Sequence, residues 1–268
     1  MLWGGCYAPH PQPGAPCGSG SCPAGLVCSP ATQTCELHAL DAALSDSPAP
    51  DARHDASIDA PPPPVDAPSG PRLVQQNTNH ADSAATLSVT LANLPAAGDV
   101  LVMIGGDPAG SLGSVTGGGA TWTAAAKSTV NANVEIWVGV TDGSSATVTI
   151  ALPNTTSPMT IAVSEWAGLV ATNLVDVTSI GDGLASPAVP AALTTTNAKD
   201  LLLFGVGDGA PNTFGMPGPG SWTALDGVTG LITQGAWYRV VTATGTFGPG
   251  VGESNGHWDA ALVALRAP

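Results

Sequence analysis

Positively charged residues are scarce in this sequence. Its 268 residues include 6 Lys and Arg against 20 Asp and Glu, which gives a formal net charge of −14. Nucleic-acid binding depends on clustered Lys and Arg that neutralise phosphates. The composition therefore excludes nucleic acid as a partner.

Long hydrophobic runs are also missing. No apolar stretch approaches the ~20 residues that a helix needs to span a bilayer, although 43% of the residues are hydrophobic and can supply a core. No window has the period of a capped amphipathic helix of useful length. The sequence predicts an all-β protein that contacts a membrane only through a lipid anchor.

Cysteine does not occur after position 35. The five cysteines, Cys6, Cys17, Cys22, Cys28 and Cys35, lie in a head rich in Gly, Pro and Ser. So small a segment needs disulfides or a metal to hold a shape. The spacing contains no C-x-x-C pair and no H-x-x-x-H partner, which favours disulfides over zinc. We predict two disulfides among the last four cysteines, in one of three pairings, and hence a location outside the cytoplasm.

The remaining cysteine, Cys6, follows Gly4 and Gly5. This start resembles the end of a bacterial lipoprotein signal peptide without its charged and apolar regions, with Trp3 where that motif has Leu or a similar aliphatic residue. The resemblance implies that Cys6 carries a lipid anchor and that the natural start lies upstream of Met1. The alternative is a free or intermolecularly paired thiol.

The whole head, C-Y-x-P…G-x-P-C…C-P-x-G-L-x-C…T-C, resembles the heads of predicted surface lipoproteins from deltaproteobacteria of the myxobacterial type. That resemblance implies a place in the cell envelope, at the outer-membrane surface or outside the cell. We divide the chain into a head at 1–38, a disordered Asp/Ala/Pro linker at 39–71 and a β-sandwich at 72–268. The linker has too few large apolar residues to offset its ordering entropy.

The sandwich region consists of short apolar or alternating runs. ATLSVTLA places Leu87, Val89 and Leu91 on one face, and VEIWVGV separates Val134, Ile136, Val138 and Val140 from Glu135 and Trp137. This is the period of half-buried strands. DVLVMIG and DLLLFGVG are continuously apolar, as expected of strands covered on both faces.

The region also repeats itself. Trp122, Trp137 and Val163 recur as Trp222, Trp237 and Val263 at a constant offset of 100 residues, and Asp99 recurs at Asp200. We predict two sequence-similar halves at about 85–170 and 186–268. They form either one large jelly-roll-like sandwich or two tandem immunoglobulin-like sandwiches.

The segments AAGDVLVMI, ATWTAAA, IWVGV and HWDAALVALRA resemble a family of secreted bacterial and phage-associated β-sandwich domains. The resemblance extends from Leu73 to Pro268. It implies a single jelly-roll-like sandwich, and it implies no activity, since members mostly lack a known one.

Two motifs of the sandwich region could suggest catalysis. GESNG, Gly252 to Gly256, matches the G-x-S-x-G nucleophile elbow, but only a strand follows Ser254 and the adjacent His257 cannot fold back onto it. Glycosidase chemistry needs two facing carboxylates, and the sandwich offers only Glu135, Glu165 and Glu253 besides its aspartates. We therefore predict no catalytic residue.

The Asp-Gly pairs of the sandwich region could be turns or metal sites. Four Asp-Gly pairs, at Asp142, Asp182, Asp208 and Asp226, are typical of hairpin turns. Calcium could bind there, but no D-x-D-x-D array is present, so we predict no metal and no cofactor.

Trp122 and Trp222 are expected to be core anchors, whereas Trp137, Trp237 and Tyr238 are the candidate platform for stacking a ligand. The sequence thus predicts a non-catalytic surface or secreted lipoprotein that presents a binding or adhesion module to an extracellular glycan or a surface protein. The alternatives are a carbohydrate-binding module and an extracellular hydrolase.

Overall fold

The computed structural model describes residues 17, 22, 26–29, 33–37, 70–108, 110–153, 155–254 and 256–268. The chain forms two compact units, one within residues 1–60 and one within residues 61–268. Every regular element in these ranges is a β-strand, which confirms the predicted all-β class. None of these segments is a helix long and apolar enough to cross a bilayer. Cys6 and all but the last two residues of the predicted linker lie outside the described residues.

The first unit contains a hairpin held by two disulfides. Its antiparallel strands are β1 (Leu26–Ser29) and β2 (Thr34–Leu37). Disulfides join Cys17 to Cys28 and Cys22 to Cys35. The Cα–Cα distances of 5.9 and 5.7 Å are ordinary for disulfides. The predicted pair of disulfides is confirmed, and one of the three pairings is selected.

The first half of the second unit contains eight strands in two sheets. In chain order they are β3 (Arg72–Ala84), β4 (Thr86–Thr90), β5 (Val100–Gly106), β6 (Ser114–Gly117), β7 (Thr123–Ser128), β8 (Val134–Val140), β9 (Thr147–Ala151) and β10 (Ser157–Ala167). The larger sheet has the order β3-β10-β5-β8-β7, and the smaller has the order β4-β9-β6. This order is that of a jelly roll in which β7 has joined the larger sheet.

The second half follows the same plan. Its strands are β11 (Val175–Gly183), β12 (Leu193–Thr194), β13 (Asp200–Asp208), β14 (Thr223–Ala224), β15 (Val228–Thr229), β16 (Thr233–Val241), β17 (Thr246–Phe247) and β18 (Trp258–Arg266). The larger sheet has the order β11-β18-β13-β16-β14, with β15 also paired to β16, and the smaller sheet pairs β12 with β17. The order of the larger sheet therefore repeats that of the first half.

The pairing registers of the two halves coincide as well. Ala124 lies opposite Trp137 in the first half, and Ala224 lies opposite Trp237 in the second. Residues one hundred positions apart in β8 and β16 are therefore structural counterparts. The shared order and register fit the predicted duplication.

The two halves stack through their larger sheets, which gives four layers. A central core that includes Val102, Ile104, Ile136, Leu203 and Val263 fills the space between the larger sheets. A separate core lies between the two sheets within each half. The predicted alternatives were one large sandwich or two tandem ones. The structure combines them, because each half has its own core and a third core joins the halves.

Burial follows the predicted strand patterns. Strands β5 and β13 are buried along their whole length because sheets cover both faces. In β8, Ile136 faces the central core whereas Trp137 faces the core of the first half. The predicted alternation of this strand is confirmed.

The edge strands depart from the predicted pattern. β3 and β11 precede the predicted starts of the halves at 85 and 186, yet each is the edge of its larger sheet. Asp182 and Gly183, predicted to form a turn, lie within β11 opposite Asp259 and Trp258. This prediction was wrong because Gly183 serves packing: a Cβ there would lie 2.4 Å from Trp258 Cζ2.

Polar side chains join the halves across the central core. The buried carboxylate of Asp259 in β18 accepts hydrogen bonds from the β7–β8 loop, including Ser128 Oγ at 2.6 Å and Asn133 N at 2.7 Å. In the reciprocal direction, Thr160 Oγ1 of β10 donates to Gln234 Oε1 of β16 at 2.8 Å. The second half therefore supplies Asp259 to the β7–β8 region of the first half, and the first half supplies Thr160 to β16 of the second.

Side-chain amides of β3 bond the backbone of β4, an edge strand of the smaller sheet. Asn77 Nδ2 donates to Thr90 O and Asn79 Nδ2 donates to Ser88 O, both at 2.7 Å. Gln75 makes the same kind of bond further along, to the backbone oxygen of residue 93. These amides tie the two sheets of the first half together at one side.

Candidate ligand-binding pocket

The three residues of the predicted platform pack in three different cores. Trp137 packs against the core of the first half, and Trp237 belongs to the core of the second. Tyr238 packs against the central core, where its ring meets Trp166 edge-on with centroids 4.8 Å apart. The predicted joint platform is therefore corrected: alternation along β16 sends Trp237 and Tyr238 to opposite faces.

Trp137 is held by a buried polar cluster in the first half. Glu135 has no exposed surface, and its Oε2 accepts from Trp137 Nε1 at 2.7 Å and pairs with Lys127 Nζ at 3.0 Å. Its Oε1 accepts from Ser111 Oγ and Leu112 N, both at 2.8 Å. Lys127 Nζ also lies 4.5 Å from the centroid of the Trp137 ring, a cation–π distance. These side chains fill the space beside Trp137.

The corresponding space in the second half is a cavity of about 490 Å³, which we call the Gly235 pocket. Gly235 and Gly227, one hundred positions after Glu135 and Lys127, both line it. Two glycines thus stand where the first half carries an ion pair. A Cβ at Gly235 would lie 2.3 Å from Trp237 Cη2 and 2.8 Å from Phe214 Cδ2, so two aromatic rings lie against Gly235 where the first half has the Glu135 side chain.

Aromatic rings form the inner wall of the Gly235 pocket. The Trp237 ring stacks on Phe204 with centroids 5.5 Å apart, and the edge of Phe214 meets it at 6.0 Å. Trp237 is only 4% exposed, so it contributes an edge of its ring and not an open face. No described residue accepts a hydrogen bond from Trp237 Nε1, whereas the Trp137 indole has Glu135. The wall is therefore apolar except for the Trp237 indole N–H, which no described residue accepts from.

Amide and hydroxyl groups form the rim of the Gly235 pocket. Thr213, Thr229 and Thr233 line it, together with Asn212. The Asn212 side chain is fixed because its Nδ2 donates to Asp208 Oδ2 at 2.5 Å. Burial, assisted by the nearby Glu253 carboxylate, raises the pKa of Asp208. The lining itself contains no charged side chain among the described residues.

The GESNG loop lies beside this rim, and its geometry is not that of a nucleophile elbow. Ser254 Oγ donates to Asn212 Oδ1 at 2.5 Å, and its backbone N donates to the same atom at 3.0 Å. An amide oxygen cannot act as the general base that activates a serine. The loop leads directly into β18, and Ser254 is used to position Asn212.

The sandwich glutamates are engaged separately. Glu135 is saturated as described above. Glu165 is buried and accepts from Gln75 Nε2 at 2.5 Å and Ala96 N at 2.8 Å, and Glu253 accepts from Gly256 N at 2.6 Å. These contacts place each of the three in its own hydrogen-bond network.

Two carboxyl pairs lie at the starts of the central strands. Burial and the neighbouring Glu165 raise the pKa of Asp99 to about 6. Burial and the neighbouring Asp176 raise the pKa of Asp200 to about 6. Despite its burial, Asp176 has its own pKa lowered to about 2, because it accepts hydrogen bonds from Thr196 and Arg266. Each pair therefore holds one proton below about pH 6 and loses it as the pH rises toward neutral.

We expect the sandwich to be most stable at about pH 4 to 5. Between the ordinary pKa of 3.8 and about 6, Asp99 and Asp200 hold more protons in the folded state than in the unfolded state, so stability falls as pH rises. Asp176 acts oppositely, and its stabilisation is lost only as pH falls from about 4 toward 2. Thermal unfolding at pH 4.5 and 7.5 measures the difference, on the order of 2 kcal/mol for Asp200.

The matched variants are Asp200→Asn, which cannot ionise, and Asp142→Asn, which alters an exposed aspartate. Asp200→Asn should flatten the dependence between pH 4.5 and 7.5, and Asp142→Asn should leave it unchanged. An unaltered slope in Asp200→Asn would contradict the assignment.

One group of side chains in the described part of the chain has the spacing of metal ligands. In these ranges, the only three potential ligand side chains whose ligating atoms lie within 4.8 Å of one another are Cys17, Cys22 and Cys28. Their sulfur atoms are consumed in the two disulfides. Of the predicted turn aspartates, Asp142 accepts from Ser144 N at 2.8 Å and Asp208 supports Asn212.

Sequence reasoning missed the Gly235 pocket. Gly235 and Phe214 carry no signal that the repeat reveals. Gly227 was predicted to belong to an Asp-Gly turn, which was wrong, because it lies between β14 and β15, which both pair with β16. The informative signal lies in positions that differ: Lys127 and Glu135 in one half become glycines in the other.

Comparisons with protein-family models, with curated proteins and with solved structures found no match for this chain.

Proposed function

We propose that the protein is a non-catalytic binding or adhesion module displayed at the cell surface or secreted, and that the Gly235 pocket binds a neutral sugar residue of an extracellular glycan. The observation that carries this proposal is the contrast between the halves. The first half fills the space beside its Trp with an ion pair, and the second half leaves about 490 Å³ open.

The lining chemistry favours a sugar. A pyranose ring has an apolar face and a rim of hydroxyls, so it suits a pocket with aromatic walls and a few neutral polar groups. Trp237 and Phe214 supply the aromatic wall, and the threonines supply hydroxyl groups. The volume lies within the range of ordinary small-ligand sites.

Presentation outside the cell is the second part of the proposal. Two disulfides in so small a unit suit an oxidising compartment. A lipid on Cys6, followed by the Pro-rich linker, would hold the sandwich away from the envelope surface. Mass spectrometry of the protein recovered from cell envelopes tests directly for a diacylglycerol adduct on Cys6.

We expect neutral oligosaccharides to bind and the double variant Gly227→Lys with Gly235→Glu to lose binding. The Gly235→Glu side chain would displace the aromatic wall, because a Cβ at Gly235 would lie 2.3 Å from Trp237 Cη2 and 2.8 Å from Phe214 Cδ2. The probes are cello-, xylo-, manno- and chito-oligosaccharides. Their binding is measured by the change in intrinsic Trp fluorescence. The expected loss of affinity is at least about tenfold, because the aromatic wall of the site would be displaced.

Two further variants control this experiment. Gly252→Ala adds a methyl group that meets nothing within 4 Å, so it should bind like the unaltered protein. Phe214→Ala removes part of the aromatic wall and should weaken binding without closing the pocket. The proposal would be overturned if no neutral glycan on an array bound the unaltered protein. It would also be overturned if the double variant Gly227→Lys with Gly235→Glu bound with full affinity.

A further inference from the structure

A second pocket, distinct from the Gly235 pocket, lies in the second half. Its volume is about 300 Å³, and its walls include Pro219, Gly220, Trp222, Arg239, Thr246 and Phe247. We call it the Arg239 pocket. Two of its wall residues carry hydrogen-bond donors that the protein leaves unused.

The first unused donor is the guanidinium of Arg239. It lies over Phe247, with Cζ 5.3 Å from the ring centroid. No described carboxylate forms an ion pair with it, although acidic residues outnumber basic ones by 20 to 6. In contrast, Lys127 and Arg266 are paired with Glu135 and Asp176. A planar guanidinium with free donors is the group that binds carboxylates in a bidentate manner.

The second unused donor is the indole N–H of Trp222. This residue is 7% exposed, and its Nε1 is buried without a hydrogen-bond partner. Such a donor costs free energy unless a ligand satisfies it. The counterpart in the first half, Trp122, donates from Nε1 to Gly117 O at 2.9 Å. One hundred positions after Gly117 the chain has Pro217, and the carbonyl of the adjacent Gly218 is bonded to Gly250 N at 2.7 Å.

The position of Arg239 also differs between the halves. One hundred positions earlier the chain has Gly139, so the guanidinium occurs only in the second half. Gly220 makes room for it: a Cβ at Gly220 would lie 2.1 Å from Arg239 Nη1, and the residue has a positive φ of 102°. The unpaired Arg239, the Gly220 that leaves room for it and the Trp222 with its unsatisfied indole N–H therefore all line one pocket.

We propose that the Arg239 pocket binds the carboxylate of a small acidic ligand. The guanidinium supplies the charge-assisted hydrogen bonds, the Trp222 indole donates to the same group, and Thr246 offers a hydroxyl. Pro219 and Phe247 form apolar walls for the body of the ligand. The proposal is independent of the neutral-sugar site, because the two pockets share no lining residue.

The test follows the indole N–H resonances by two-dimensional ¹H–¹⁵N NMR on the full chain. The Trp222 signal is assigned with Trp222→Phe. The probes are acetate, glucuronate and hippurate, which share a carboxylate but differ in their bodies, and acetamide serves as the uncharged control. We expect a carboxylate to shift the Trp222 indole signal downfield as its N–H gains an acceptor, and we expect acetamide to leave it in place. The relative affinities of the three acids identify the preferred body.

Three variants make the result specific. Arg239→Gln should weaken carboxylate binding at least about tenfold, since a charge-assisted bidentate contact is lost. Gly220→Ala should weaken it also, by displacing the guanidinium, whereas Lys199→Gln, at an exposed cation, should bind normally. The proposal is overturned if no carboxylate shifts the Trp222 signal, if acetamide shifts it equally, or if Arg239→Gln binds the carboxylate as tightly as the unaltered protein.

Discussion

Replacing Asp259 with Asn is expected to lower the free energy of unfolding of the sandwich by about 3 kcal/mol. The carboxylate is fully buried and accepts hydrogen bonds from Ser128 Oγ and from the backbone N–H groups of Val130, Asn131, Ala132 and Asn133. Asparagine keeps the shape but places an NH₂ group against donors and removes the charge. The β7–β8 loop would then lose its attachment to the other half.

Thermal unfolding measures this effect, and about 3 kcal/mol corresponds to a Tm lower by roughly 6–12 °C in a unit of this size. Asp182→Asn is the matched control, because Asp182 lies opposite Asp259 in the neighbouring strand but is exposed. That variant should change Tm little. A Tm for Asp259→Asn equal to that of Asp182→Asn would show that the loop does not depend on this carboxylate.

Replacing Gly205 with Val is expected to destabilise the sandwich by about 3 kcal/mol or more. Gly205 lies where the two larger sheets meet: a Cβ would lie 2.8 Å from Ile104 Cγ2 and 3.3 Å from Val134 Cγ2. The first distance is shorter than carbon atoms tolerate, and both neighbours lie in a closely packed core. Valine would therefore force the halves apart. Chemical denaturation gives the free energy.

A double variant separates crowding from other causes. Ile104→Ala removes the methyl group that meets the new side chain, and by itself it should destabilise by about 2–5 kcal/mol. Combined with Gly205→Val, the total loss should be well below the sum of the single losses, because one change accommodates the other. Strict additivity would mean that the sheets do not meet at these residues.

The strands with strong apolar patterns could be predicted from the sequence. β5 and β13 are covered by protein on both faces, and their continuous apolar runs predict this burial without knowledge of their partners. β3 has alternating Gln and Asn in place of large apolar residues, because it is an edge strand whose amides bond β4, and it lacked a comparable signal. Polar edge strands are identified only when their partners are known.

The contacts between the halves could not be predicted. Asp259 binds residues 126 to 131 positions earlier in the chain, and no local pattern specifies so distant a partner. The pockets were missed for a related reason. They depend on which side chains fail to fill a space, and the two glycines of the Gly235 pocket have no hydrophobic period to reveal them.

The amide bonds from β3 to β4 have a consequence for behaviour at high concentration. An edge strand with open carbonyl groups is a template on which a second molecule can add a strand, which is how fibrous aggregates begin. In β4 the carbonyls of Ser88 and Thr90 are already occupied by Asn79 and Asn77. An incoming strand would have to displace these intramolecular bonds before it could pair. Crowded copies of this protein are thereby discouraged from joining into a continuous sheet along this edge.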